Sequence, residues 1–352
     1  MRRPRTTPRD QRGISLIEMM VGLIIGMLAV LVIYQTFAVA EGVKRQTISA
    51  GDAQQTGMLA AYLLGVEFGN AGSGLMTNLQ DLATCPDTAD IKTTLRPIPL
   101  LITPGADAAT PDSFVVNYAT PRSLVTPALF VASAAVGDST YKVQSPQGFH
   151  KNDLAVAVSK TGNCEKVKVK DLTAPDGNGV ITITLDSPSI KAYPPSGLLV
   201  NLGPEGSVQR VLYDVASGVL RTTDQMIADA TPAPIASSIV NMKLQYGIDT
   251  NGDSAVDTWT AAEGAHAPNA VMAMSAQNLG RIKAVRLGLI VRSDEYDRDA
   301  PAYNWTLFQC TDEEKALYTC PDALTGTLPA NYRYRVYETI VPFRNSMWNS
   351  LS

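Results

Sequence analysis

The chain has 352 residues, is 45% hydrophobic and carries a formal charge of −4 at pH 7, enough apolar material for one large globular unit or two modest ones. The charge is uneven: residues 1–13 hold five arginines against Asp10, a local +4, whereas the other 339 residues hold 24 basic and 32 acidic side chains, a net −8. An acidic body excludes a nucleic-acid binder, which needs a basic footprint, and leaves the arginines to be read as the cytoplasmic flank of a membrane segment.

That segment follows at once, as QRGISLIEMMVGLIIGMLAVLVIYQTFAVA. From Met19 to Ala40 there are 22 residues without a charge, about 33 Å of helix and enough to cross the hydrocarbon core. Glu18 stands at its head, where a lone carboxylate is costly. A secretory signal would need a shorter apolar stretch; Ala38-Val39-Ala40 supplies a cleavage site, but the run is too long and Glu18 is misplaced. A plain anchor explains the length and the arginines, not Glu18 or the Gly13–Ile14 junction. Basic residues, glycine, an apolar residue and a glutamate four positions later together resemble the class III leader of type IV prepilins. The resemblance implies cleavage by prepilin peptidase between Gly13 and Ile14, N-methylation of Ile14, and an assembly role for Glu18. Its carboxylate would meet the ammonium of a neighbouring subunit, each charge lowering the other's cost in lipid. Ile14 departs from the commoner phenylalanine, and Gln35 falls where many major pilins carry proline. Gly22 and Gly26 have the small-x-x-x-small spacing of close helix contacts, or are incidental membrane glycines.

Past Ala40 the helical pattern continues with Met58, Leu59, Tyr62, Leu63 and Val66 at helical spacing. The reading is one helix of some fifty residues, membrane-spanning over 14–40 and amphipathic over 41–75, ended by Gly69, Gly72 and Gly74. From Met76 the composition turns to Thr, Pro, Asp and Gly. Strands are expected at 113–119, 128–133, 153–159, 165–171 and 179–186, making 76–205 a β-rich insertion. Lys166, Lys168 and Lys170 alternate with valines, which suits a solvated sheet face or a protected edge. Three stronger strands, 238–249, 281–293 and 332–345, alternate as an antiparallel sheet does with one face on a helix. The expected fold is therefore α+β, a type IV pilin-like roll: a long N-terminal helix on an antiparallel sheet in 206–352, with the insertion between them.

The blocks LQYGIDTNGDSAVDTW, IKAVRLGLIVRS and YRYRVYETIVPFRN, with AQQTGMLAAYL…NAG earlier, resemble the PilW-like minor pilins of type IV pili. The resemblance covers the first 75 residues and about the last 110. It implies a non-catalytic, low-abundance subunit, held in the bacterial inner membrane with its head in the periplasm and then in the pilus. Partners would be other minor pilins and the major pilin, with which it primes assembly and forms a tip complex presenting a tip adhesin. Type II secretion minor pseudopilins share the plan and are the alternative. A head that itself binds a surface ligand, assisted by calcium, is a second one.

Cys85, Cys164, Cys310 and Cys320 all follow the apolar segment and lack metal-ligand spacing. An even count outside the cytoplasm reads as two disulfides: Cys310–Cys320 across a short loop, and Cys85–Cys164 by elimination. Asp249, Asn251, Asp253 and Asp257 occupy positions 1, 3, 5 and 9 of a calcium-loop pattern, with the Ala255 carbonyl at 7. Ser254 replaces the turn glycine and Thr260 the bidentate glutamate, and an acidic turn is the competing reading. Gly137-Asp138-Ser139, and Ser139 to Lys142 with Lys160-Thr-Gly162, match fragments of serine-enzyme motifs. The serine lies in a strand-like stretch and neither His150 nor His266 completes a triad, so catalysis is not expected. No phosphate-binding G-x-x-x-x-G-K-[ST] occurs. Residues 294–331 form a long, disulfide-pinned loop whose Tyr296, Tyr303, Trp305, Phe308 and Tyr318 either face a partner or cover the loop's own core.

Overall fold

The long helix is α1 (Leu16–Asn70), 55 residues without a break. The computed structural model describes residues 15–75, 82, 85, 98–120, 127–144, 148–160, 162–204, 206–227 and 229–347, without the side chains of 45, 46, 49, 50, 346 and 347. The chain divides after Gly51 into two compact units. The first consists of the N-terminal part of α1, whose apolar side chains are exposed. The second is the head, into which α1 brings Ala53, Ala60, Leu64 and Phe68 as fully buried residues. That spacing places them on one face. Gly57 belongs to it as well, because a Cβ there would run into the Tyr337 ring. The helix stops at Asn70, and Gly72 and Gly74 follow with φ of 73° and 67°, a left-handed exit that glycine adopts without strain.

The strands in chain order are β1 (Leu100–Thr103), β2 (Ser113–Ala119), β3 (Ala128–Phe130), β4 (Thr140–Gln144), β5 (Asp153–Val158), β6 (Cys164–Leu172), β7 (Val180–Leu185) and β8 (Leu198–Pro204). After them come β9 (Val208–Ala216), β10 (Val219–Asp224), β11 (Ala233–Ala236), β12 (Ile239–Ile248), β13 (Thr258–Thr260) and β14 (Ile282–Arg292). The last are β15 (Tyr303–Leu307), β16 (Leu324–Leu328) and β17 (Tyr334–Pro342). Every pairing between them is antiparallel. The fold is α+β.

The segment read as one insertion divides in two. β1 and β2 join β9, β10 and β11 in a five-stranded sheet of order β1-β2-β9-β10-β11. β3 to β8 close into a six-stranded barrel of order β3-β4-β7-β6-β5-β8. Ala119 and Val208, the last partners of the β2–β9 ladder, flank the barrel on either side in sequence. Inside the barrel Phe130, Tyr141 and Tyr193 pack with ring centroids 4.9–5.9 Å apart. β6 lies between β5 and β7, so its lysines are not on an edge. Val167 and Val169 point inward while Lys170 is exposed and Lys166 and Lys168 are half-buried.

The three expected C-terminal strands, as β12, β14 and β17, are joined by the short β13 in the four-stranded sheet β13-β12-β14-β17. Met242, Leu244, Tyr246, Val285, Leu287 and Leu289 share a core with Leu64 and Phe68 of α1, and Phe68 also meets Phe114 of the five-stranded sheet at 4.9 Å. The opposite face was expected in solvent, yet β12 and β14 are buried on both sides. Two covers explain it. The β1–β2 loop lies across β12, where Lys243 donates to Asp112 Oδ1 and to the Asp107 carbonyl, both at 2.8 Å, and Asn241 donates to the Ala108 carbonyl. The β15–β16 hairpin seats Trp305, Leu307 and Phe308 on Ile290. Arg286 beneath it donates to Glu338 at 3.2 Å and stacks 5.3 Å from the Phe308 ring. Burying a polar row costs least where its members are paired, as Lys243 and Arg286 are; the Asn241 Oδ1 and Gln245 Oε1 atoms of the same strand are buried without a hydrogen-bond partner.

Both disulfides are present, Cys85–Cys164 across 79 residues and Cys310–Cys320 across 10. The first joins the segment after α1 to the start of β6, inside an apolar cluster with Leu75, Val156 and Val200.

Candidate functional site

The assembly candidate is the start of α1. Ser15 precedes the first helical residue and accepts the Ile17 N–H on its Oγ at 3.2 Å, while Glu18 Oε2 accepts the Ser15 N–H at 3.3 Å. This reciprocal arrangement is a form of the S-x-x-E capping box, and it follows from the Ser-Leu-Ile-Glu order. Four N–H groups at a helix start lack intrahelical partners, and a negative side chain there also gains from the helix dipole. Glu18 is therefore turned back toward the N-terminal end of the helix. Gly13 and Ile14, the expected cleavage and methylation residues, lie outside the described residues.

Behind Glu18, Leu16–Lys44 is long and apolar enough to cross a bilayer. Within it the Thr36 hydroxyl is satisfied locally, its Oγ1 donating to the Val32 carbonyl at 2.8 Å. A Cβ added at Gly22 or Gly26 would meet nothing within 4 Å, so both glycines present bare backbone to whatever lies beside them.

The stripe Met58, Leu59, Tyr62, Leu63 and Val66 does not face the head. These side chains are exposed, and the buried face is the Ala53, Gly57, Ala60, Leu64 and Phe68 row. The stronger hydrophobes suggested the opposite orientation. The overlooked signal was the small residues, which allow α1 to approach β17 closely enough for Tyr337 Oη to reach the Gln54 carbonyl at 3.1 Å.

The acidic loop after β12 folds onto its own backbone. Asp249 Oδ1 accepts from Gly252 N at 2.6 Å, its Oδ2 accepts from Ser254 N at 2.9 Å, and Lys283 Nζ stands 4.0 Å away. Asn251 and Asp253 accept the N–H groups two residues on. Asp257 Oδ2 accepts the Thr250 N–H at 2.7 Å and its hydroxyl at 2.9 Å; these bonds hold its pKa below the ordinary carboxylate value. Burial pushes the Lys283 ammonium down, opposed by Asp249. Among the described residues no group of three or more His, Cys, Asp or Glu side chains is placed to hold a metal ion.

The serine-motif fragments lie on the barrel. Ser139 immediately precedes strand β4 and its carbonyl accepts Leu185 N, so it opens no helix. His150 pairs with Asp153 at 3.6 Å. In the 294–331 segment, Trp305 and Phe308 are buried against Ile290 and Tyr334 of the sheet, Tyr303 stacks on Tyr334, and Tyr318 meets Trp259 edge-on. Tyr296 alone of the five is largely exposed. The loop contains a short helix, α2 (Asp312–Leu317), started by a complete Thr311–Glu314 capping box. The segment after α2 is tied to β13 by Trp259 N to the Thr319 carbonyl at 2.9 Å.

Comparison with known proteins gives two family matches: Type IV Pilus-assembly protein W over residues 206–345, and the prokaryotic N-terminal methylation motif over residues 8–34. Among solved structures, a type IV-like pilin from Thermus thermophilus aligns with 84% of this chain and 97% of its own, at 11% identity and a TM-score of 0.36. No match to a curated protein was found.

Proposed function

We propose, from the premise that this chain is a PilW-like minor pilin of type IV pilus assembly with a prepilin-type N-terminus, that it helps prime the pilus and joins other minor pilins in a tip complex. Its family is one of structural pilins, and its chemistry would be association rather than catalysis. Prepilin peptidase would cut between Gly13 and Ile14, and Ile14 would be methylated. The apolar half of α1 would hold the subunit in the inner membrane with the head in the periplasm until it passes into the fibre among minor and major pilins.

The observation carrying this reading is Glu18, an acid at the head of a charge-free span, whose carboxylate accepts the Ser15 N–H. Removal of the leader would create an ammonium one residue before that N–H. In hydrocarbon each charge alone costs several kcal/mol, so the two gain by meeting, within the subunit or across to the next.

Mass spectrometry of the membrane-extracted protein tests the processing: the expected N-terminus is methylated Ile14, whereas a chain beginning at Glu41 would mean ordinary secretion. Glu18→Ala should remove surface pili while leaving the protein processed and present. Deletion of the whole subunit should remove pili and spare type II secretion; the reverse pattern would assign the chain to a secretion system.

A further inference from the structure

We propose that the Cys310–Cys320 bond is a thiol–disulfide exchange site with a fixed direction: the thiolate of a dithiol protein attacks Cys320 Sγ, and Cys310 leaves. The two disulfides of the head sit in opposite surroundings. Cys85 and Cys164 are buried in an apolar cluster, where a thiolate, incoming or released, would exchange water for hydrocarbon. Cys310 is buried too, but its Sγ accepts a hydrogen bond from Arg286 Nη1 at 3.6 Å. The guanidinium is held in place from two other sides, by Glu338 at 3.2 Å from Nη2 and by the Phe308 ring at 5.3 Å. Glu338 is in turn fixed by the Phe308 N–H, which it accepts at 3.0 Å.

A cationic donor aimed at sulfur does little for the disulfide and more for the thiolate that replaces it, because a hydrogen bond to a charged acceptor is about twice as strong as a neutral one. The sulfur whose thiolate is better held is the better leaving group, so attack falls on its partner. Cys320 is also the more open of the two, half-buried where Cys310 is buried. In the first step the reductant's thiolate bonds to Cys320 Sγ as the Cys310–Cys320 bond breaks, and the Cys310 thiolate takes a proton from water. The reductant's second thiol, deprotonated, then attacks the reductant's own sulfur in the mixed disulfide and releases Cys320. Two electrons and two protons pass to this chain, and the reductant becomes the disulfide. The loop can open without unseating the head. Next to Cys320, Thr319 N donates to the Asp257 carbonyl at 2.8 Å and the Thr319 carbonyl accepts Trp259 N at 2.9 Å. Before Cys310, Phe308 is fully buried. Between these anchors lies α2, which has its own cap and no buried residue, so the two sulfurs stay near each other and the bond can re-form.

The experiment treats the full-length chain, folded in detergent with both disulfides formed, with reduced glutathione, a monothiol that stops at the mixed disulfide. After quenching with N-ethylmaleimide, trypsin separates the cysteines by cutting after Lys315, into residues 299–315 and 316–333. Glutathione should be found on Cys320 and maleimide on Cys310, with Cys85–Cys164 still intact. Arg286→Gln/Glu338→Gln, which removes the donor and leaves no unpaired carboxylate behind, should slow adduct formation about tenfold or more. Glu338→Gln alone keeps the donor and should react at least as fast as the parent. Glutathione on Cys310, opening of Cys85–Cys164 first or at the same rate, no adduct until the head unfolds, or an unchanged rate in the double variant would each overturn the proposal. Should the double variant not fold, the adduct position in the parent decides by itself.

Discussion

Lys243 shows how a single side chain closes the head. Its ammonium and the Asp112 carboxylate are both about 5% exposed and 2.8 Å apart, and Asp112 also accepts the N–H groups of Gly105 and Leu244. Removing one member strands the other without water. Lys243→Met should therefore destabilise the protein by about 3–5 kcal/mol in a urea titration, and Asp112→Asn in the same chain should recover part of that loss. His266 gives the pH response a sign. Burial holds its pKa below the ordinary 6.5, so the unfolded chain takes up the proton first. Its contribution is complete above that value and is lost as the pH falls through the folded pKa. Tm measured from pH 7.5 to 5 should fall more steeply for the parent than for His266→Gln.

At the scale of elements, the Cys85–Cys164 bond closes the longer of the two loops and ties the chain after α1 to the barrel. Cys85→Ser/Cys164→Ser should cost about 2–5 kcal/mol, more than the Cys310→Ser/Cys320→Ser pair, because the entropy withheld from the unfolded chain grows with loop length. A strand with a plain two-residue alternation, such as Val180–Leu185, was legible because that period is local information. The β9–β10 hairpin escaped notice, since VQRVLYDVA and VLRTTD interrupt their apolar positions with Arg, Asp and Thr around the Ser217-Gly218 turn. The inner face of α1 was misread because Ala and Gly score weakly as hydrophobes, although at position 57 any Cβ would run into the Tyr337 ring. Glu18 stood out in the sequence as a charge in an apolar context, whereas its bond to Ser15 depends on the cap geometry.

Across the whole molecule, the C-terminal strands could be located but not their double burial. One cover comes from residues 104–112, far away in the chain, and the other from 303–328, the excursion between β14 and β17, and no periodicity within a strand reports them. Barrel closure was hidden for the same reason, its strand order being set by pairings between distant segments. The attachment of the barrel makes its own prediction. Replacing residues 120–207 with a two-residue turn, together with Cys85→Ser, should leave a protein that still unfolds cooperatively, because β2 and β9 are already adjacent partners. Loss of a single transition in calorimetry would show that the sheets need the barrel.

The meeting of Ala119 and Val208 has a consequence for how such a subunit can diversify. The cross-strand pair Ala119 and Val208 marks both ends of the barrel, so apart from the apolar cluster around the Cys85–Cys164 bond the β2–β9 ladder feels only the short span between them. Eighty-odd residues or eight would present the same boundary condition to the core, and the entropy of closing the excursion rises only logarithmically with its length. The mount is a socket, and selection can exchange what is plugged into it without renegotiating the packing that holds the rest together.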